Sequence, residues 1–187
     1  MDREDPYGAD AMVAQLESLL DHLGMRATPK HVLGFSMGGA VASLFVARQA
    51  RESVLSLTLL APAGLMDGAI FTVLRSATCL HGCVQSLLRG GQENAWKEDF
   101  TGKSGPALER MLAIQRLHLD KNPHAFDAFF QNVLHFPLFG LEETVRTIGN
   151  FASFPVNLLW GTRDTVVPFS NLQRWVRSLE DGAQVKG

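Results

Sequence analysis

The 187-residue sequence contains no long apolar run, only two cysteines and almost no excess of charge. No segment reaches the roughly 18 uninterrupted apolar residues that a membrane-spanning helix needs. The formal net charge is −2, and the basic residues are scattered, so no electrostatic feature favours nucleic acid or an anionic membrane as a partner. Cys79 and Cys83 have the spacing of packing residues on one helix face, and so few cysteines favour a reduced, intracellular compartment. What remains is a globular class, with 46% hydrophobic residues available for a core.

The most informative segment is Gly34-Phe35-Ser36-Met37-Gly38, which has the pattern G-x-S-x-G. His31–Leu33 before it predicts a short buried strand, and Ala40–Arg48 after it predicts a helix. A serine becomes a usable nucleophile only where its hydroxyl stands clear of the backbone, near a base and oxyanion donors. A sharp strand-to-helix turn does this, and flanking glycines, with Gly39 as a third small residue, relieve the crowding.

Two alternatives to a nucleophile turn exist. An ordinary glycine-rich turn between two core elements would show the same letters. A phosphate-binding loop is disfavoured because no Lys-Ser/Thr pair follows the glycines.

In this motif and its flanks the chain resembles the α/β-hydrolase fold family, in its serine esterase and lipase branch. The resemblance continues downstream, where Val54–Leu60 predicts the next strand and Ala61-Pro62-Ala63-Gly64 ends it. The wording of that stretch is similar to monoacylglycerol-lipase-like members. The resemblance implies an α/β fold with a parallel sheet and a helical cap inserted before the acid-bearing strand.

The resemblance divides the chain into three segments. Residues 1–64 would form hydrolase core with the nucleophile turn, 65–149 the helical cap, and 150–187 core with the acid strand. Ala9–Leu23 reads as an amphipathic helix that Gly24 terminates. Within the cap, segment 69–88 is broadly apolar, and helices are predicted over 107–119 and 124–134.

Asp164 is the candidate triad acid. It follows a strand-like run that ends at Trp160-Gly161, and Pro168 limits the next element. Open α/β sheets place their ligand crevice at the carboxyl ends of the strands, where this carboxylate would lie. The alternative is an aspartate that only caps or shapes the turn after the strand.

No catalytic base is assigned, because the sequence has no histidine after Asp164, where the family places it. The six histidines are His22, His31, His81, His118, His124 and His135. No spacing supports any of them as the base. The resemblance implies that the backbone amide of Met37 is one oxyanion donor, while the second donor belongs to earlier strands that have no counterpart here.

The sequence therefore predicts a serine hydrolase that cleaves carboxylic esters, lipid esters such as monoacylglycerols among them, through a Ser36 acyl-enzyme. Thioesters, amides and carbon–carbon bonds stay open as targets. The expected partner is a small-molecule ester or lipid substrate, without nucleic acid, metal or cofactor, and membrane-surface association is neither required nor indicated. The competing reading is a non-catalytic binding protein, or an inactive fragment that lacks the base.

A bare edge is also expected at the strand before Ser36. Without earlier strands, its N–H and C=O groups would be unpaired on one side. The chain therefore reads as part of a larger enzyme.

Overall fold

The computed structural model describes residues 7–69, 72, 76, 105–122 and 124–184. They form two compact units, one comprising Met1–Gly68 with His135–Gly187 and the other Ala69–Leu134. We call these the core unit and the inserted unit. Cys79, Cys83, His81 and most of the apolar segment 69–88 lie outside the described residues.

Helices and strands alternate through the core unit, and two further helices between 106 and 135 lie largely in the inserted unit. In chain order the elements are α1 (Ala9–His22), β1 (Lys30–Phe35), α2 (Met37–Ala47), a 3-10 turn (Arg51–Ser53), β2 (Val54–Leu60), α3 (Pro106–Lys121), α4 (Ala125–His135), α5 (Glu142–Phe151), β3 (Val156–Leu159) and α6 (Asn171–Gln184). The predicted first helix and second strand are confirmed, and Gly24 has the positive φ of 66° that ends a helix.

The three described strands form one parallel sheet in the order β1-β2-β3. Phe35 pairs with Leu60, and Leu60 pairs with Leu159, so the carboxyl ends of all three strands lie along one edge. The segments after β1 and β3 contain Ser36 and Asp164. The register thus brings the two predicted site residues to the same edge of the sheet.

One face of the sheet is buried against helices. Leu57 and Leu59 of β2 are 0% and 1% exposed, and helix α2 contributes the buried Phe45 and Val46 to the same core. Helices α1, α5 and α6 add Val13, Val145, Ile148 and Trp175. A parallel sheet is normally covered on both faces. In the described residues, helices cover this one.

The opposite face is partly exposed and contains both apolar and polar side chains. Leu33, Phe35 and Leu159 are 68%, 66% and 51% exposed. Two polar pairs on it are hydrogen-bonded across strands: His31 Nδ1 lies 2.7 Å from Ser56 Oγ, and Asn157 Nδ2 donates to Thr58 Oγ1 at 3.2 Å. In the described sheet β1 is also an edge strand, as the sequence predicts.

Helices α5 and α6 pack with their backbones in contact. A Cβ on Gly149 would lie 2.1 Å from the carbonyl oxygen of Leu179, and a Cβ on Gly182 would lie 2.0 Å from that of Arg146. No side chain fits at either position. These two glycines set the separation of the helices that flank β3.

The inserted unit contains α3 and most of α4, which agree with the helices predicted over 107–119 and 124–134. Phe126 and Phe130 of α4 are each 1% exposed, and Leu112 of α3 is 3% exposed. This unit is narrower than the segment 65–149 expected from the sequence, because α5 packs within the core unit. The role of the inserted unit as a cap stays a prediction.

None of the helices in the described residues is long and apolar enough to cross a membrane.

Candidate active site

Ser36 occupies the turn between β1 and α2 with a strained backbone. Its φ and ψ are 52° and −123°, and it is one of two non-glycine residues in the described chain with positive φ. Such conformations cost about 1–3 kcal/mol and persist only where surrounding structure holds them. Ser36 stands at the N-cap of α2, yet its side chain makes no capping hydrogen bond. The residue is half-buried, and its hydroxyl is not used to cap the helix.

Three backbone hydrogen bonds hold this conformation. The Ser36 N–H donates to the carbonyl of Leu60 at 3.0 Å. The Ser36 carbonyl accepts from the N–H groups of Gly39 and Ala63, both at 2.9 Å. The Ser36 N–H is thus bonded to the last residue of β2, and the Ser36 carbonyl is bonded to Ala63 in the segment after β2. These two bonds hold the turn against the end of β2.

The glycines around Ser36 are not equally required. A Cβ on Gly34 would lie 2.5 Å from the carbonyl oxygen of Gly38, and one on Gly39 would lie 2.6 Å from Pro62 Cβ. A Cβ on Gly38 would meet nothing within 4 Å. The expectation that both flanking glycines of the motif relieve crowding is thus met at Gly34, while Gly39 rather than Gly38 carries the second close approach.

The amide of Met37 is the first of helix α2. The first N–H groups of a helix have no intrahelical acceptor, and they carry the positive end of the helix dipole. Gly39 N–H already bonds to Ser36. The Met37 N–H is therefore at the positive end of α2, and its role as an oxyanion donor stays a prediction.

Asp164 is half-buried in the loop after β3, and its own loop uses one of its carboxylate oxygens. Oδ1 accepts from the N–H groups of Val166 at 3.0 Å and Val167 at 2.9 Å. Trp160 Nε1 donates to the carbonyl of Val167 at 2.8 Å, which closes the loop. The turn-shaping alternative for Asp164 is thus present at Oδ1. Within the described residues no hydrogen bond to Oδ2 is found.

The strands that precede Ser36 and Asp164 are separated by β2. Their ends are therefore two strand spacings, or about 10 Å, apart. That a histidine bridges the two side chains stays a prediction. Neither residue contacts the other directly in the described hydrogen bonds.

In the described hydrogen bonds, no histidine joins Ser36 to Asp164. His31 is at the start of β1, five residues before Ser36, or about 16 Å away along the strand. His22 and His135 are exposed at the ends of α1 and α4. His118 and His124 are exposed residues of the inserted unit. No group of three or more His, Cys, Asp or Glu side chains in the described residues could hold a metal ion.

Two contributors to the site have no distinctive sequence signal. Ala61 has a φ of 39°, although a residue before proline is expected to be extended. Trp160 acts through its indole N–H, which only the folded loop directs at Val167. Packing decides both features: the positive φ of Ala61 and the hydrogen bond from Trp160 to Val167, seven residues later.

Comparison with known proteins identifies the family of this chain. The Alpha/beta hydrolase family model matches residues 2–185. The chain belongs to the alpha/beta hydrolase family. The strand, strained serine and helix described above are consistent with a family in which G-x-S-x-G marks a nucleophile turn.

Relatives of this alpha/beta hydrolase include proteins named as lipases. Lipase 3 of Moraxella sp. (strain TA144) is 27% identical over 162 residues, which are 86% of this chain and 49% of the relative. Monoacylglycerol lipase abhd6-B of Xenopus laevis is 37% identical over 62 residues, 33% of this chain and 18% of the relative.

Solved structures share the fold at lower identity. The esterase EaEST from Exiguobacterium antarcticum superposes with a TM-score of 0.65 at 16% identity, over 94% of this chain and 63% of its own. The chain spans about half the length of Lipase 3, and less than two thirds of this esterase.

Proposed function

We propose that this chain carries the nucleophile and the acid of a serine hydrolase that cleaves carboxylic esters. The observation that carries the proposal is the backbone of Ser36, with φ at 52° between a parallel strand and a helix N-terminus. Strain of this kind is concentrated at functional sites. Membership in a hydrolase family with lipase-named relatives supports the same class of reaction.

The residues take the following roles in this proposal. Ser36 Oγ attacks the ester carbonyl and forms an acyl-enzyme, while the Met37 N–H donates to the developing oxyanion. Asp164 accepts a hydrogen bond from a histidine and stabilises the imidazolium that forms when the serine proton is taken. The bond to the alcohol then breaks, and the alcohol leaves with the proton from the imidazolium. Water next attacks the acyl-enzyme, which frees the carboxylic acid and returns the proton to Ser36. The histidine is not assigned to any residue of this chain.

Lipid esters such as monoacylglycerols are the proposed substrate class. Lipase 3 and monoacylglycerol lipase abhd6-B, by their names, support it. Hydrolysis of a medium-chain monoacylglycerol compared with a short, water-soluble ester tests the choice. A preference for the short ester would remove the lipid part of the proposal and leave the ester reaction.

The decisive experiment is labelling by a fluorophosphonate, which reacts with activated serines. We expect the native protein from its source cells to be labelled, and Ser36→Ala to abolish labelling. Ser153→Ala, an exposed serine before β3, is the matched control and should label normally. The size of the labelled species also matters, because a species well above 20.5 kDa would show that a longer polypeptide contains this chain.

The second candidate is a non-catalytic alpha/beta-hydrolase-like binding protein, in which Asp164 only shapes its own loop through Oδ1. A folded native protein that never labels, and that hydrolyses no ester, would support this reading. Labelling that survives Ser36→Ala would instead place the nucleophile at another residue.

A further inference from the structure

The segment Leu60–Ala63, where the chain leaves β2, makes hydrogen bonds to both neighbouring strands. The Leu60 carbonyl accepts from Ser36 N–H on the β1 side. The next residue, Ala61, donates its N–H to the Leu159 carbonyl on the β3 side at 2.9 Å. This alternation is the normal behaviour of a strand between two partners.

Two residues later the alternation is broken. If the chain continued as an extended strand, the N–H of Ala63 would point again toward β3, as that of Ala61 does. It donates instead to the carbonyl of Ser36, on the β1 side. A reversal of the backbone must therefore take place between Ala61 and Ala63.

The ring of Pro62 holds its φ near −65°, within the ordinary range for strands and turns. The backbone leaves that range at Ala61, whose φ is 39°. Pro62, directly after it, packs on Gly39, the other residue whose N–H bonds to the Ser36 carbonyl. The two residues after Ala61 thus both contact the nucleophile turn: Pro62 packs on Gly39, and the Ala63 N–H donates to the Ser36 carbonyl.

We propose that Ala61 is a positioning residue for Ser36: its left-handed backbone directs the Ala63 N–H onto the Ser36 carbonyl and holds the serine in its strained conformation. The proposal rests on the proposed function, since Ser36 is a nucleophile only there. Ala61 itself touches no substrate. A methyl group at positive φ permits a narrow range of conformations, whereas glycine would permit many.

Ala61→Gly tests the inference, because it permits the same backbone and removes the restriction. Glycine relieves strain, but it also loses methyl contacts of a 5% exposed residue and adds freedom to the unfolded chain, so the unfolding midpoint should move little. The Ala63 amide should exchange with solvent about five- to tenfold faster, as for the loss of one typical hydrogen bond. The fluorophosphonate labelling rate should fall about ten- to a hundredfold through misplacement of the nucleophile.

Ala50→Gly is the matched control. It makes the same chemical change at an exposed residue with a φ of −65°, away from the site. Its midpoint should fall slightly, with amide exchange at Ala63 and labelling both unchanged. A structural effect of removing any methyl group would instead affect the two variants alike.

The outcomes separate the two proposals. Faster Ala63 exchange with slower labelling supports the inference. Unchanged Ala63 exchange in Ala61→Gly, or normal labelling despite faster exchange, overturns it. If the wild-type protein does not label, the proposed function fails, and the exchange measurement alone decides whether Ala61 holds the Ser36 backbone.

Discussion

Pro62 packs directly against Gly39: a Cβ added to Gly39 would lie 2.6 Å from Pro62 Cβ and 2.9 Å from Pro62 Cα. The neighbouring Gly38 has open space at the same atom. Of these two adjacent glycines in one helical turn, Gly38 therefore has room for a side chain and Gly39 does not. The contact joins the exit of β2 to the first turn of α2, next to Ser36.

Alanine at these two glycines should have effects of opposite sign. Gly39→Ala must displace Pro62 or the helix, which we expect to cost about 1–3 kcal/mol of unfolding free energy. Gly38→Ala meets no neighbour and removes glycine from a helix, so it should be neutral or stabilising by up to about 1 kcal/mol. Urea unfolding of the two variants measures the difference. Equal stability would contradict the close contact with Pro62.

The glycine contact between α5 and α6 should be equally intolerant. Gly149→Ala and Gly182→Ala each place a methyl group within about 2 Å of a backbone oxygen of the other helix, and each should cost at least about 2 kcal/mol. The double variant should cost less than the sum, because the first methyl group already separates the helices. Gly105→Ala, with open space around its Cβ, is the control. Thermal unfolding checks all four, and additive losses would argue against a shared contact.

The exposed sheet face should cause copies of this chain to associate. Leu33 and Phe35 are among the largest exposed apolar side chains, so Leu33→Ser with Phe35→Ser should reduce self-association in sedimentation velocity. Leu19→Ser removes a 53% exposed leucine from α1 and serves as the control. If the α1 variant reduces association as strongly as the double variant, the sheet face is not the surface responsible.

Asp164 should show two separable roles. Asp164→Asn retains an oxygen acceptor for the Val166 and Val167 amides, whereas Asp164→Ala removes it. Amide exchange at both valines should rise about five- to tenfold in the alanine variant only. Fluorophosphonate labelling should fall in both variants, since neither retains a carboxylate to stabilise an imidazolium. Normal labelling of Asp164→Asn would leave Asp164 as a turn residue without a catalytic part.

Local patterns predicted the elements around the site well. The run Val54–Leu60, with the breaker Ala61-Pro62-Ala63-Gly64 after it, matched β2, and Gly24 ended α1 at a positive φ. The motif around Ser36 predicted a strained strand-to-helix turn, which its φ of 52° confirms. These features depend on residues close together in the chain, so periodicity and turn chemistry contain the information.

Features that join distant segments were not predictable in the same way. Residue type gave no reason to place Ala61 at positive φ, and the following proline argued for an extended backbone. The need for glycine at Gly39 depends on Pro62, more than twenty residues later. The extent of the inserted unit depends on α5 packing into the core, which its sequence position alone did not indicate.

By itself, the sequence determined the serine turn, the order of strand and helix around it and the loop that contains Asp164, because each depends on a short stretch of residue types. Only the tertiary structure decided which carboxylate oxygen of Asp164 is occupied, which glycines are indispensable and how the end of β2 clamps Ser36. Those outcomes depend on distances between separate segments. Packing sets such distances, and at Ala61 it outweighs the local preference of the backbone.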